Sequence, residues 1–219
     1  MNDLPNLRLI KLMSKALAIV ALVVPGAALK ADEIVGNAAN GQAQAAPCAA
    51  CHGQDGATGL DGTYPNIAGQ NQKYLVRQME MIQDGTRQIP LMAGQLDGKS
   101  EQDLADIAAY FASLSGKVSQ AAGDDEQIAQ ATQIYRGGIA RKGVAACTAC
   151  HSPRGFGNAQ AGFPRIAGQP AEYTTIQLKA YRERTRTTDT EYGNMMRDIA
   201  EGLTDTEIAM LADYLQGLN

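Results

Sequence analysis

Tryptophan is absent from the 219 residues, phenylalanine occurs three times, and aromatics make up only 5% of the chain. A core of this size normally draws on aromatic bulk, so another apolar body is expected to fill it. Histidine is almost as scarce, and two residues exclude a multi-histidine metal centre. Four cysteines are too sparse for a disulfide scaffold of this length. Positive charge is not in excess: 19 Lys and Arg face 23 Asp and Glu, a formal net charge of −4. That argues against a nucleic-acid binder, which carries a basic surplus. With 45% hydrophobic and 19% charged residues, the composition does not suit a disordered chain either. Beyond the N-terminus no segment approaches the roughly 20 apolar residues that span a bilayer.

What is present begins with an export pattern. Arg8, Lys11 and Lys15 precede the short apolar run Ala16–Val24, and small residues around Pro25, Gly26, Ala27 and Ala28 follow. This order reads as a secretory signal over residues 1–31, cleaved after Ala28 or Ala31. The signal carries one acid and four bases, so its removal leaves a net charge of −7. Residues 32–122 then hold ten acids and five bases, and residues 123–219 twelve and ten. Docking of partners is sensitive to such a difference between halves.

The remainder is a tandem repeat. Cys48-Ala49-Ala50-Cys51-His52 recurs as Cys147-Thr148-Ala149-Cys150-His151, an offset of 99. Pro65-Asn66-Ile67-Ala68-Gly69-Gln70 recurs at the same offset as Pro164-Arg165-Ile166-Ala167-Gly168-Gln169, and Tyr74 and Gln78 match Tyr173 and Gln177. The offset then becomes 104: Leu91-Met92 matches Met195-Met196, and Tyr110 matches Tyr214. A polar insertion over 187–194 accounts for the slip. The expected layout is a first domain over 32–117, a linker over 118–125 and a second domain over 126–219. Apolar spacing predicts helices over 72–83, ended by Gly85, and over 126–136. Ser100-Glu101-Gln102-Asp103 and Thr204-Asp205-Thr206-Glu207 are capping-box starts of the last helix of each repeat. No run of alternating β-branched residues appears, so the fold class is all-α.

The two Cys-x-x-Cys-His motifs consume every cysteine and histidine. This is the attachment sequence of c-type haem. Two cysteines three apart on a helical turn reach the two vinyl groups of one haem, and the next histidine is carried under the iron as its proximal ligand. A zinc site would need four ligands converging from both motifs. A thioredoxin-like pair expects a βαβ context that is missing here. The expected cofactors are therefore two covalently bound haem c groups, on Cys48 and Cys51 and on Cys147 and Cys150, with His52 and His151 on the irons.

The other axial ligand separates electron transfer from catalysis at an open iron. No histidine is spare. Met79, Met81 and Met210 align with Leu178, Ala180 and Asp106, so they read as packing residues. Only Met92 and Met196 occupy equivalent places, each 18 residues before a helical tyrosine. They are the expected sixth ligands, with Met195 the chief rival for the second haem. His/Met ligation leaves no vacant site and favours a carrier over an oxidase or peroxidase. Pro65 and Pro164 lie 13 residues after the two histidines, and their carbonyls are expected to accept the histidine N–H. The alternative for each is a plain turn. Tyr74, Tyr173, Arg77, Gln78 and Gln177 are candidates for haem propionates or the domain interface.

Paired CxxCH motifs, paired P-x-I-A-G-Q segments and paired late methionines make the chain resemble the di-haem cytochrome c4 family over residues 36–219. The resemblance implies two class I cytochrome c domains related by a pseudo-two-fold axis, with propionate edges close together. It implies a periplasmic protein, soluble or loosely membrane-bound, that passes single electrons from a quinol-oxidising complex or another donor to a terminal oxidase. The segment between Arg87 and Met92 is short relative to that pattern. A cytochrome subunit of a flavoprotein dehydrogenase of the sulfide type is the alternative, and a di-haem peroxidase a third class.

Overall fold

A computed structural model of the chain describes residues 34–117 and 119–219. The export-signal reading of residues 1–31 lies outside them. Among the described residues there are nine α-helices, three short 3-10 turns and no strand, only the isolated bridges Ile139–Val144 and Asn158–Phe163. The all-α expectation holds.

The first repeat comprises α1 (Ala38–Gln44), α2 (Ala46–His52), α3 (Gln72–Gln83) and α4 (Glu101–Ser113). The second comprises α5 (Asp125–Gly137), α6 (Thr148–His151), α7 (Ala171–Arg182), α8 (Met195–Glu201) and α9 (Asp205–Gly217). In each, the first helix packs on the last: α1 on α4, and α5 on α9. The middle helix joins them, α3 on α4 and α7 on α9.

Local sequence explains the boundaries. Ser100 with Asp103, and Thr204 with Glu207, form the expected capping boxes. Each satisfies backbone donors that the helix start leaves free, worth about 1 kcal/mol. Asp124 and Gln127 make a third at α5. Helix α3 stops at Gln83, and Gly85 beyond it takes a left-handed φ of +81°.

Two separate apolar clusters form. Leu75, Ile107, Ala108 and Phe111 centre the first. Ile134, Tyr135, Ile208, Leu211 and Tyr214 centre the larger second. Leu75, Ile107 and Phe111 of the first and Leu211 and Leu215 of the second line one cavity, where the functional residues gather.

The Pro-x-Ile-Ala-Gly-Gln loops tie each domain to its last helix. Gly69 N–H donates to the Phe111 carbonyl and Gly168 N–H to the Leu215 carbonyl, both at 2.9 Å. Both glycines have φ near +70°, and a Cβ would lie 2.6 Å from Gly116 N or 2.2 Å from Lys117 O. Only glycine fits these two places.

The insertion over 187–194 is polar but structured. Asp189 is buried and accepts from the Arg197 backbone N–H at 2.9 Å and from Arg197 Nε at 2.7 Å. A 3-10 turn, Thr190–Tyr192, follows. The first domain lacks this unit, so the paired methionines sit on different local structures. Met92 ends the 3-10 turn Pro90–Met92, while Met196 lies in the first turn of α8.

Candidate functional site

Helix α2 carries Cys48, Cys51 and His52, while Cys147 caps α6, which holds Cys150 and His151. Residues three apart on a helix share a face, so each cysteine pair turns the same way as its histidine. All six, with Met92, Met195 and Met196, line one continuous cavity of about 750 Å³. Met79 lines it too and packs on the first core, while Met210 packs on the second.

Both histidines are buried, and His52 Nδ1 and His151 Nδ1 lie 3.0 Å from the Pro65 and Pro164 carbonyl oxygens. A carbonyl accepts only, so Nδ1 carries the proton and Nε2 keeps its lone pair. The expected proline contacts are thus present in both repeats. Burial pushes both histidine pKa values below the ordinary 6.5, against the upward pull of the carbonyl bonds. The rings are therefore neutral near pH 7, the form that binds a metal. Tyr64 and Phe163, at equivalent positions, lie 6.3 and 6.5 Å from the two imidazoles. Burial pushes the Cys147 thiol up to about 11, and raises that of Cys48.

At the second methionine position the two neighbours differ in their contacts. Met195 Sδ touches Cys150 Sγ at 3.7 Å. Met196 lines the same cavity without that contact.

Between the domains lies a polar network that repeats at offset 99. Arg87 donates to Gln78 Oε1 at 2.9 Å and to the Tyr173 hydroxyl at 3.2 Å. Arg186 donates to Gln177 Oε1 at 2.6 Å, and to the Tyr74 hydroxyl and Gln78 Oε1 at 3.1 Å each. Its Nε donates to Thr188 Oγ1 at 3.0 Å. Each arginine therefore grips a glutamine of its own domain and a tyrosine of the other. Both are buried at 8% exposure. Arg77 stacks over Tyr192 at 4.3 Å, which gives the inserted turn a place at the interface.

This network fits the propionates of haem. Among the described residues neither Arg87 nor Arg186 pairs with a carboxylate. Arg77 Nε and Gln78 Nε2 are buried without a hydrogen-bond partner. Buried cations and orphaned donors around one cavity call for anions. The sequence reading placed Tyr74, Tyr173, Arg77, Gln78 and Gln177 here and missed Arg87 and Arg186. Their signal was available, since Thr86-Arg87 recurs as Thr185-Arg186 at the repeat offset.

Comparison with known proteins agrees. The family model for cytochrome c matches residues 38–115 and again 140–219. Cytochrome c4 of Pseudomonas aeruginosa is 48% identical over 184 residues, covering 84% of this chain and 90% of that protein. The crystal structure of reduced recombinant cytochrome c4 from Pseudomonas stutzeri superposes with a TM-score of 0.80 at 42% identity, covering 84% of this chain and all of that one. A thiosulfate dehydrogenase electron acceptor of Thiomonas intermedia is 32% identical over 179 residues, 78% of each chain. Two matched cytochrome c domains, each with a CxxCH motif facing a shared cavity, bind two covalently attached haem c groups, and the chain belongs to the di-haem cytochrome c4 family of electron-transfer proteins.

Proposed function

We propose that the chain is a periplasmic carrier of single electrons, not an enzyme, linking a quinol-oxidising complex or another respiratory donor to a terminal oxidase or other acceptor. Cys48 and Cys51 hold the first haem by thioether links and Cys147 and Cys150 the second. His52 with Met92, and His151 with Met196, fill the axial positions. The observation that carries this reading is the pairing itself: each buried histidine and its equivalent methionine line one cavity. The contact of Met195 Sδ with Cys150 Sγ supports Met196 over its neighbour, because an iron ligand has to reach the porphyrin centre.

Haem supplies the ferric–ferrous couple, and the protein supplies the rest. Fixed ligands on both faces keep rearrangement small and leave no position for substrate. Proline carbonyls orient the imidazoles and raise their basicity. Arg87 and Arg186 neutralise propionates at the interface, which lets two charged haem edges share a buried seam. At the other rim, Leu91 is 65% exposed beside Met92 and offers an uncharged contact for a redox partner. The N-terminal export pattern supports the compartment, and no helix among the described residues is long and apolar enough to cross a membrane.

A second reading has its own support. The Thiomonas intermedia relative is an electron acceptor of thiosulfate dehydrogenase. This favours a dehydrogenase as a donor, close to the alternative of a subunit in a flavoprotein dehydrogenase complex of the sulfide type. Purification from the native periplasm decides between them. A di-haem monomer free of other subunits supports the carrier, and a stoichiometric flavoprotein that co-purifies through high salt overturns it.

A further inference from the structure

The glutamines that end the two Pro-x-Ile-Ala-Gly-Gln loops reach across to the other domain, and Gln70 Oε1 accepts in addition from the neighbouring Asn71 N–H at 2.9 Å. Gln169 Oε1 accepts from the Asn66 N–H at 3.0 Å, and its Nε2 donates to the Asn66 carbonyl at 2.6 Å. Gln70 does the same in reverse: its Oε1 accepts from the Arg165 N–H at 2.7 Å and its Nε2 donates to the Arg165 carbonyl at 2.8 Å. Both glutamines are buried, as is Asn66. Asn66 fastens the seam further, donating to the Gly168 carbonyl at 2.7 Å.

The N–H of Asn66 and the C=O of Pro65 belong to one planar peptide group. That carbonyl is the one 3.0 Å from His52 Nδ1. An unbroken chain therefore runs from the His52 ring N–H to the Pro65–Asn66 peptide and on to the Gln169 carboxamide of the other domain. The mirror chain runs from His151 through the Pro164–Arg165 peptide to Gln70. Hydrogen bonds in series through an amide polarise one another, so an acceptor on the N–H strengthens the carbonyl as an acceptor. A stronger carbonyl draws the ring proton and makes the imidazole a more basic ligand.

We infer that Gln169 and Gln70 are positioning residues that set the basicity of the proximal histidine in the opposite domain, so that each haem's potential is tuned across the interface. The inference rests on His52 and His151 being the proximal ligands. Loss of the Gln169 acceptor leaves His52 a weaker donor to iron. Ferric iron is then less stabilised and the potential of the first haem rises.

The test uses the holoprotein with Gln169→Leu, Gln70→Leu and Gln169→Glu. The potentials are read haem by haem in a titration followed by NMR, and the His52 and His151 ring N–H signals are read in the reduced state. Gln169→Leu is expected to raise the first haem by up to about tenfold in its ferric–ferrous equilibrium, about 59 mV for one electron. It should move the His52 N–H signal and leave those of the second haem near their starting values. Gln70→Leu should do the converse. Gln169→Glu puts a stronger, charged acceptor on the Asn66 N–H and should move the His52 N–H signal and the first haem's potential in the direction opposite to Gln169→Leu. Should either leucine variant misfold, the glutamate variant and the surviving mirror variant still decide. Equal shifts at both haems, a shift confined to the mutated domain's own haem, or an unmoved ring N–H overturns the inference. Failure of the ligand assignment shows earlier and separately, as a wild-type spectrum that is not low-spin His/Met.

Discussion

Arg186→Met removes the most connected side chain of the interface while nearly keeping its volume. Four oxygens lose a donor: those of Tyr74, Gln78, Gln177 and Thr188. Two are not stranded, since Gln78 Oε1 keeps Arg87 and Thr188 Oγ1 keeps the Tyr181 hydroxyl at 3.0 Å. The Tyr74 hydroxyl and Gln177 Oε1 lose their partner outright. At about 1–3 kcal/mol for a fully buried group left unpaired, these two part-buried groups set an upper bound of about 2–6 kcal/mol on the loss. For a protein of this size that lowers the thermal midpoint by roughly 2–4 °C per kcal/mol. Arg87→Met strands only the Tyr173 hydroxyl, because Gln78 Oε1 keeps Arg186, so its loss should be about 1–3 kcal/mol. Arg186→Lys keeps the charge but cannot reproduce four directed bonds from one planar fork, and should recover less than half. The assay is denaturant unfolding of the holoprotein, followed by haem absorbance and far-ultraviolet dichroism together so that coincident transitions can be checked. An Arg186→Met loss under about 1 kcal/mol, or an Arg87→Met loss that equals or exceeds it, would refute the accounting.

Met92→Ala and Met196→Ala should each convert one of the two haems to a high-spin or altered-ligand spectrum, whereas Met195→Ala should leave the low-spin spectrum intact. Optical and EPR spectra of the oxidised protein check both. Gly168→Ala forces a left-handed backbone that costs about 1–3 kcal/mol, and its Cβ also meets Lys117 O; urea unfolding should show at least that loss. Burial pushes Glu207 up, but its bonds to Lys142 and Thr204 outweigh burial and hold it below the ordinary 4.5. A carboxylate depressed on folding stabilises above its unfolded pKa, so this contribution is full above about pH 4.5 and fades as acid passes the folded value. Lys142→Met should flatten the acid limb of a stability–pH profile and leave the slope near neutrality unchanged.

The repeat made most of this structure legible. Offsets of 99 and 104 located both attachment motifs, both proline carbonyls and the paired methionines before any coordinates. Capping boxes and glycine stops placed α3, α4 and α9 because they act within a few residues. Hidden features were those that depend on how the two halves meet. Gln70 and Gln169 stood in a quoted motif, yet no property of a glutamine in a loop says that its partner is a peptide 95 or 103 residues away. Arg87 and Arg186 were not singled out, because nothing local marks an arginine that the fold will bury. The insertion gave only its polarity, since the burial of Asp189 under Arg197 is a tertiary event.

The central claim is that two His/Met-ligated haems in one chain carry single electrons. A spectroelectrochemical titration of the purified holoprotein tests it most directly, because it reports haem count, ligand class and potentials at once. The account predicts two haems per chain, each titrating with a one-electron slope, low-spin in both oxidation states and inert to cyanide at rest. One haem per chain, a high-spin component in the resting protein, or prompt cyanide binding would contradict it.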